Sequence, residues 1–134
     1  MDHTREPKFD PDSFTRLATE FVSTFPGNTL SYDERAILML DSLFTDCDAI
    51  GKYSDEEKYR ILLFVGSFLG ECLAKVFSGR WVYQDVSERW GIEVIAKSNE
   101  TAFLNPFYKI EKMLDLEEEA GAIEYWYNIT KTII

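Results

Sequence analysis

Apolar residues recur three and four positions apart from residue 14 to residue 78, on alternate positions from 80 to 104, and at helical spacing again toward the C-terminus. That order predicts helices, then a small sheet, then helices. Asp10-Pro11-Asp12-Ser13 offers cap residues ahead of Phe14, Leu17, Phe21 and Val22, one apolar stripe on a helix running to about Phe25, where Pro26-Gly27-Asn28 ends it. Ser31 and Glu34 read as a capping box for a second helix, with Ala36, Ile37, Leu40, Leu43 and Phe44 inward and a stop near Cys47. Residues 48–53 read as a loop. Ser54 and Glu57 repeat the box and open a third helix over about 55–78, apolar on nearly all sides between Ile61 and Gly70 and therefore central to the fold. Gly66 and Gly70 lie one turn apart on it, each costing up to about 1 kcal/mol of helix propensity relative to Ala, which predicts close packing against a neighbouring helix or ring. Gly79 is placed to be the left-handed residue that closes the helix.

Beyond Gly79 the period changes to two. Residues 80–84, 91–96 and 101–104 read as strands of an antiparallel meander, with Ser98-Asn99-Glu100 as the second turn and Trp81, Tyr83 and Trp90 fixing the sheet on the helices. Asn105-Pro106 is a helix start, Asn capping and Pro at the first position, for a helix with Ile110, Met113 and Leu114 inward. Glu117-Glu118-Glu119 reads as the opening of a last helix carrying Ile123, Trp126, Tyr127 and Ile129. The fold class is α+β and mainly helical: three N-terminal helices, a three-stranded antiparallel meander and two C-terminal helices in a single domain over 1–134, with 1–9 loosely ordered.

A chain of 134 residues that is 46% hydrophobic is large enough for one core without staples. Its 14 Lys and Arg stand against 24 Asp and Glu, a net charge of −10, and the bases are scattered among acids. Phosphate backbones repel such a chain, which speaks against nucleic acid, while the same field steers a cationic protein toward it. Cys47 and Cys72 make no disulfide framework and fit core positions in a reducing compartment. The first residues lack an apolar stretch after a basic one, and the longest apolar run is about half a membrane span, so the expected location is cytoplasmic. The Asn99 and Asn128 acceptor motifs then carry no glycan.

The single histidine, His3, leaves no basis for His-dependent triads or His-ligated zinc, and no phosphate-binding glycine loop is present. No cofactor and no metal are expected. Glu71, within the central helix, is the acid to watch: burial would raise its pKa, or Arg80 would neutralise it in an ion pair. The acid-rich stretch containing Asp41, Asp46, Asp48, Asp55 and Glu56, and the run Glu117, Glu118 and Glu119, read either as solvated edges or as docking patches for a basic partner. Tyr125 and Trp126 belong to a C-terminal concentration of rings suited to anchoring an interface.

Leu69-Gly70-Glu71, Gly79-Arg80-Trp81, Trp90-Gly91 and Asn105-Pro106-Phe107 recur in an order that resembles a group of small bacterial domains of unknown function, over roughly residues 60–115. The resemblance implies a bacterial origin and the fold outline, and brings no catalytic residue. The chain therefore reads as a non-enzymatic acidic protein-binding module, in the manner of an immunity or antitoxin-like inhibitor of a cationic bacterial effector. Two alternatives stand beside it. One is an adaptor or regulatory subunit, including a homodimeric one; the other is a carboxylate-based hydrolase or small-ligand binder.

Overall fold

The computed structural model describes residues 9–25 and 30–134, so the expectations for the first eight residues and for Pro26-Gly27-Asn28 lie outside the described residues. The chain is α+β and mainly helical. Helix α1, Pro11–Ser23, opens with Asp10 and Ser13 in a reciprocal capping box and buries Phe14, Ala18 and Phe21. Helix α2, Glu34–Met39, starts later than expected, because the Asp33 carboxylate accepts the Ala36 N–H and takes the cap that Ser31 was expected to supply. It gives way at once to a 3-10 segment, Leu40–Phe44, in place of a continuous helix to Cys47. Leu43 consequently points outward, 38% exposed, while Leu40 and Phe44 stay in the core.

The stretch read as a loop holds a short helix α3, Cys47–Gly51, capped by Asp46. Cys47, at its first position, is exposed and not a core residue; Cys72 is buried, and burial pushes its thiol pKa far up. Among the described residues four α-helices thus precede the sheet, where three were expected. The fourth, α4, Asp55–Val76, carries the Ser54/Glu57 capping box and is the axis of the fold. Its run from Val65 to Gly70 is wholly buried, as a helix packed on several sides must be.

The two glycines of α4 do what close packing requires. A methyl group on Gly66 would overlap the Phe107 ring, and one on Gly70 would overlap the Trp81 indole. Both rings meet Phe14 of α1, at 5.3 Å and 4.3 Å between centroids, and Trp90 approaches it at 5.4 Å. One aromatic cluster therefore joins α1, α4, the sheet and the helix that follows.

Helix α4 ends differently from the expectation. Ser78, not Gly79, is left-handed, with φ 55°, and the Gly79 N–H bonds back to the Ala74 carbonyl at 2.8 Å in a Schellman closure. Gly79 is small for another reason: a methyl there would lie 2.7 Å from the Glu93 carbonyl oxygen and from Ile92 and Val94. Strands β1, Arg80–Gln84, β2, Arg89–Ile95, and β3, Thr101–Leu104, form the antiparallel meander in that order. Trp81 pairs with Ile92 and Ile92 with Leu104, which sets the inward face on α4.

Helix α5, Pro106–Leu114, begins on the Asn105 cap and buries Ile110, Met113 and Leu114. The last helix, α6, spans Ala122–Ile133, and Glu117-Glu118-Glu119 lie in the connection before it. The reason is local: Leu116 at φ 59° closes α5, with the Glu117 N–H on the Lys112 carbonyl, and Gly121 at φ 103° resets the chain. Ile123 and Tyr127 of α6 are buried, whereas Ile129 is 47% exposed.

Candidate functional site

The acidic residues singled out in the sequence divide into structural carboxylates and free ones. Asp41 is the clearest structural case, at 9% exposure. Its Oδ1 accepts the Ile123 N–H at 3.1 Å and its Oδ2 the Glu124 N–H at 2.9 Å. Helix α6 has no cap from its own Gly121, so Asp41, 82 residues earlier, caps it from the 3-10 segment. As a docking residue, Asp41 is therefore corrected: both its oxygens face inward, on amides.

Glu118 is also committed. Its Oε1 holds the Lys109 Nζ at 2.8 Å, in a pair whose lysine is largely buried and lies 5.7 Å from the centre of the Trp126 ring. Glu56 pairs with Arg60 one turn along α4 at 3.2 Å. The remaining ion pairs among the described residues join Arg80 to Glu93 and Lys131 to Glu34. Asp46, Asp48, Asp55, Glu117 and Glu119 stand outside all four and are exposed.

Two groups of these exposed acids lie near one another. The Leu116 side chain reaches within 3.9 Å of where a methyl on Gly51 would sit, so the turn after α5 approaches the end of α3. The acids of α3 and those of the α5–α6 connection, about 70 residues apart in sequence, thereby sit at one end of the molecule, with Asp41 pinning the start of α6 beside them. Leu43 at 38%, Leu116 at 45% and Tyr125 at 70% exposure add apolar side chains on the three segments that meet there. Trp126 is half-buried.

Glu71 does not pair with Arg80. Arg80 pairs across the strands with Glu93, its register partner, at 3.0 Å. Glu71 Oε2 instead accepts the Trp81 indole N–H at 2.7 Å and the Thr15 hydroxyl at 3.4 Å, a bond that fixes the indole against Gly70. Glu34, unremarked in the sequence, accepts the Tyr127 hydroxyl at 2.7 Å and Lys131 at 3.0 Å, tying α2 to α6; those bonds hold its pKa below the usual carboxylate range.

A concavity of about 560 Å³ lies between α1 and α4, lined by Phe21, Ile61, Phe64 and Val65 together with Glu20, Ser23, Thr24 and Arg60. It is open and mainly apolar. Among the described residues no three or more His, Cys, Asp or Glu side chains are grouped to hold a metal ion, and no helix is long and apolar enough to cross a membrane. Compared with family models, with curated proteins and with solved structures, the chain matches none.

Proposed function

We propose that this chain is a non-enzymatic protein-binding module whose acidic end docks a basic protein surface, in the manner of an immunity or antitoxin-like inhibitor of a cationic effector. The observation that carries the reading is the approach of Leu116 to Gly51, which brings two separately encoded acidic segments near one another with apolar side chains among them. Unpaired carboxylates at such an end raise the rate of encounter with a cationic partner, and the apolar side chains hold it after encounter. Asp46, Asp48, Glu117 and Glu119 steer; Leu43, Leu116 and Tyr125 anchor. The adaptor and small-ligand readings have less to rest on, since the groove between α1 and α4 is open and mainly apolar.

The test is a pull-down with the tagged full chain from bacterial lysate at about 0.05 M and about 0.5 M salt, where screening lengths differ several-fold. The expected result is a basic protein retained at low salt, released at high salt, and lost when Asp46, Asp48, Glu117 and Glu119 are all changed to Lys. Retention that ignores both salt and the charge reversal would sink the electrostatic docking model.

A further inference from the structure

A smaller concavity, of about 200 Å³, opens where β3 runs into α5, with Trp126 of α6 on its far side. Its polar side chains are Asn105, Tyr108, Lys109 and Lys112, and no carboxylate is among its lining residues. In a chain of net charge −10 this is an exception, since three other grooves carry Glu20, Glu93 or Asp33. The four polar residues recur three and four positions apart, so the start and body of α5 present them together. Phe103, Leu104 and Trp126 supply the apolar side of the pocket.

These polar groups have protons to spare. The Asn105 Oδ1 accepts the Tyr108 N–H at 2.9 Å as the cap of α5, which leaves the amide NH2 of Asn105 to donate. Lys109 gives one proton to Glu118 at 2.8 Å and keeps two more. Lys112 and Arg89 stand outside the four ion pairs among the described residues. Their charges lie 5.0 Å and 5.3 Å from the centre of the same Tyr108 ring. The two cations are thus within about 10 Å of each other, one screening length at 0.1 M salt. The Tyr108 hydroxyl first, and then the charges of Glu118 and Glu117, hold the Lys112 pKa above the ordinary lysine value, so its ammonium is fully charged at neutral pH. The pocket also opens at the first turn of α5, where the helix dipole is positive.

Converging donors without a matching set of acceptors are the complement of an anion. A bare inorganic anion would leave Phe103, Leu104 and Trp126 uncovered, so the ligand carries an apolar body as well as a charge. At about 200 Å³ the pocket is below the range of drug-sized sites, which limits that body to about one ring. We propose that this pocket binds a small organic monocarboxylate, its carboxylate held by Lys112, Lys109 and the Asn105 amide and its apolar body seated on Leu104, Phe103 and Trp126. Glu118 keeps its bond to Lys109, and the ligand takes the protons that remain. Asp46, Asp48, Glu117 and Glu119 line no part of this pocket, so the site stands apart from the acidic docking end.

The experiment is an NMR titration of the full chain with benzoate as the probe, following the backbone amides and the Trp126 indole, with acetate and benzyl alcohol as probes of the charge and of the ring alone. Benzoate is expected to saturate with a Kd below about 1 mM and to shift residues 103–112 and Trp126, while acetate and benzyl alcohol each bind at least about 10-fold more weakly. Lys112→Gln is expected to weaken benzoate at least about 10-fold, and Lys112→Arg, which keeps the charge, to stay within about 3-fold of the wild type. Helical circular dichroism retained in both variants separates lost binding from lost folding; Lys109 is left in place because its removal would strand Glu118. Benzoate that fails to saturate by about 20 mM overturns the proposal. So does binding that survives Lys112→Gln, that benzyl alcohol or acetate matches, or whose shifts fall away from the start of α5.

Discussion

Asp41 Oδ1 lies 3.1 Å from the amide nitrogen of Ile123, and this carboxylate is the cap that starts the last helix. Two amides of α6 depend on it, one of them buried. Asp41→Ala leaves both without an acceptor, and the combined loss of the cap and stranding of a buried donor is about 2–4 kcal/mol. Urea unfolding of the variant is the measurement, with Asp46→Ala as the comparison: Asp46 caps only the exposed five-residue α3, and its loss costs about 1 kcal/mol or less.

The same bond shows where a sequence stops being legible. Signals carried within a few residues came through: the Ser54/Glu57 and Asp10/Ser13 caps, the Asn105-Pro106 start, the period-two strands and the crowding at Gly66 and Gly70. Asp41 reads as one more surface acid because its partners lie more than 80 residues away. The Arg80–Glu93 pair was obscured for the same reason, since Glu93 becomes the nearest acid only after strand register places it opposite Arg80. Smaller misreadings came from competition between adjacent candidates. Asp33 displaced Ser31 as a cap, Ser78 displaced Gly79 as the left-handed residue, and a left-handed Leu116, which no propensity favours, expelled Glu117–Glu119 from α6. Of the candidate site, the acids were visible and their grouping was not.

Gly70→Ala tests the packing of the central helix. On an open helix the change would stabilise by about 1 kcal/mol through propensity. Here the methyl meets the Trp81 ring, which the Glu71 bond holds in place, so overpacking wins and the expected loss is about 1–3 kcal/mol. Adding Glu71→Gln weakens the restraint on the indole, so the double variant recovers part of the loss; strict additivity in the denaturation midpoints would count against this coupling.

Ser67 is fully buried on α4 and its hydroxyl has no hydrogen-bond partner among the described residues. An unsatisfied buried hydroxyl costs about 1–3 kcal/mol that an apolar group of similar size avoids. Ser67→Ala is therefore expected to raise stability by about 1 kcal/mol. Ser78→Gly acts at a different place in the same direction: it relieves a left-handed serine at φ 55° and offsets part of that gain by a looser unfolded chain, for a net rise of about 0.5–1 kcal/mol. The two sites lie three helical turns apart, about 16 Å, so a combined variant whose thermal midpoint rises by the sum is the outcome to look for.

The Glu34–Tyr127 bond gives stability a pH dependence at both ends of the scale. Glu34 has a lowered pKa in the folded chain, first through the Tyr127 hydroxyl and then through Lys131. A depressed carboxylate stabilises the fold fully above its unfolded pKa, about 4.3, and loses that contribution as pH falls through the lower folded value. Tyr127 is shifted the other way, upward, by burial first and by its bond to Glu34 second. Its contribution is complete below the unfolded tyrosine pKa, about 10, and disappears as pH rises toward the higher folded value. Urea unfolding between about pH 3 and pH 11 should accordingly show stability falling at both extremes, with Glu34→Gln flattening the acid limb and Tyr127→Phe flattening the alkaline one. Acid and alkaline limbs unchanged in the respective variants would mean that other groups, such as Asp10 and Glu57 with their own lowered pKa values, govern the acid side and that Tyr127 ionises without unfolding the chain.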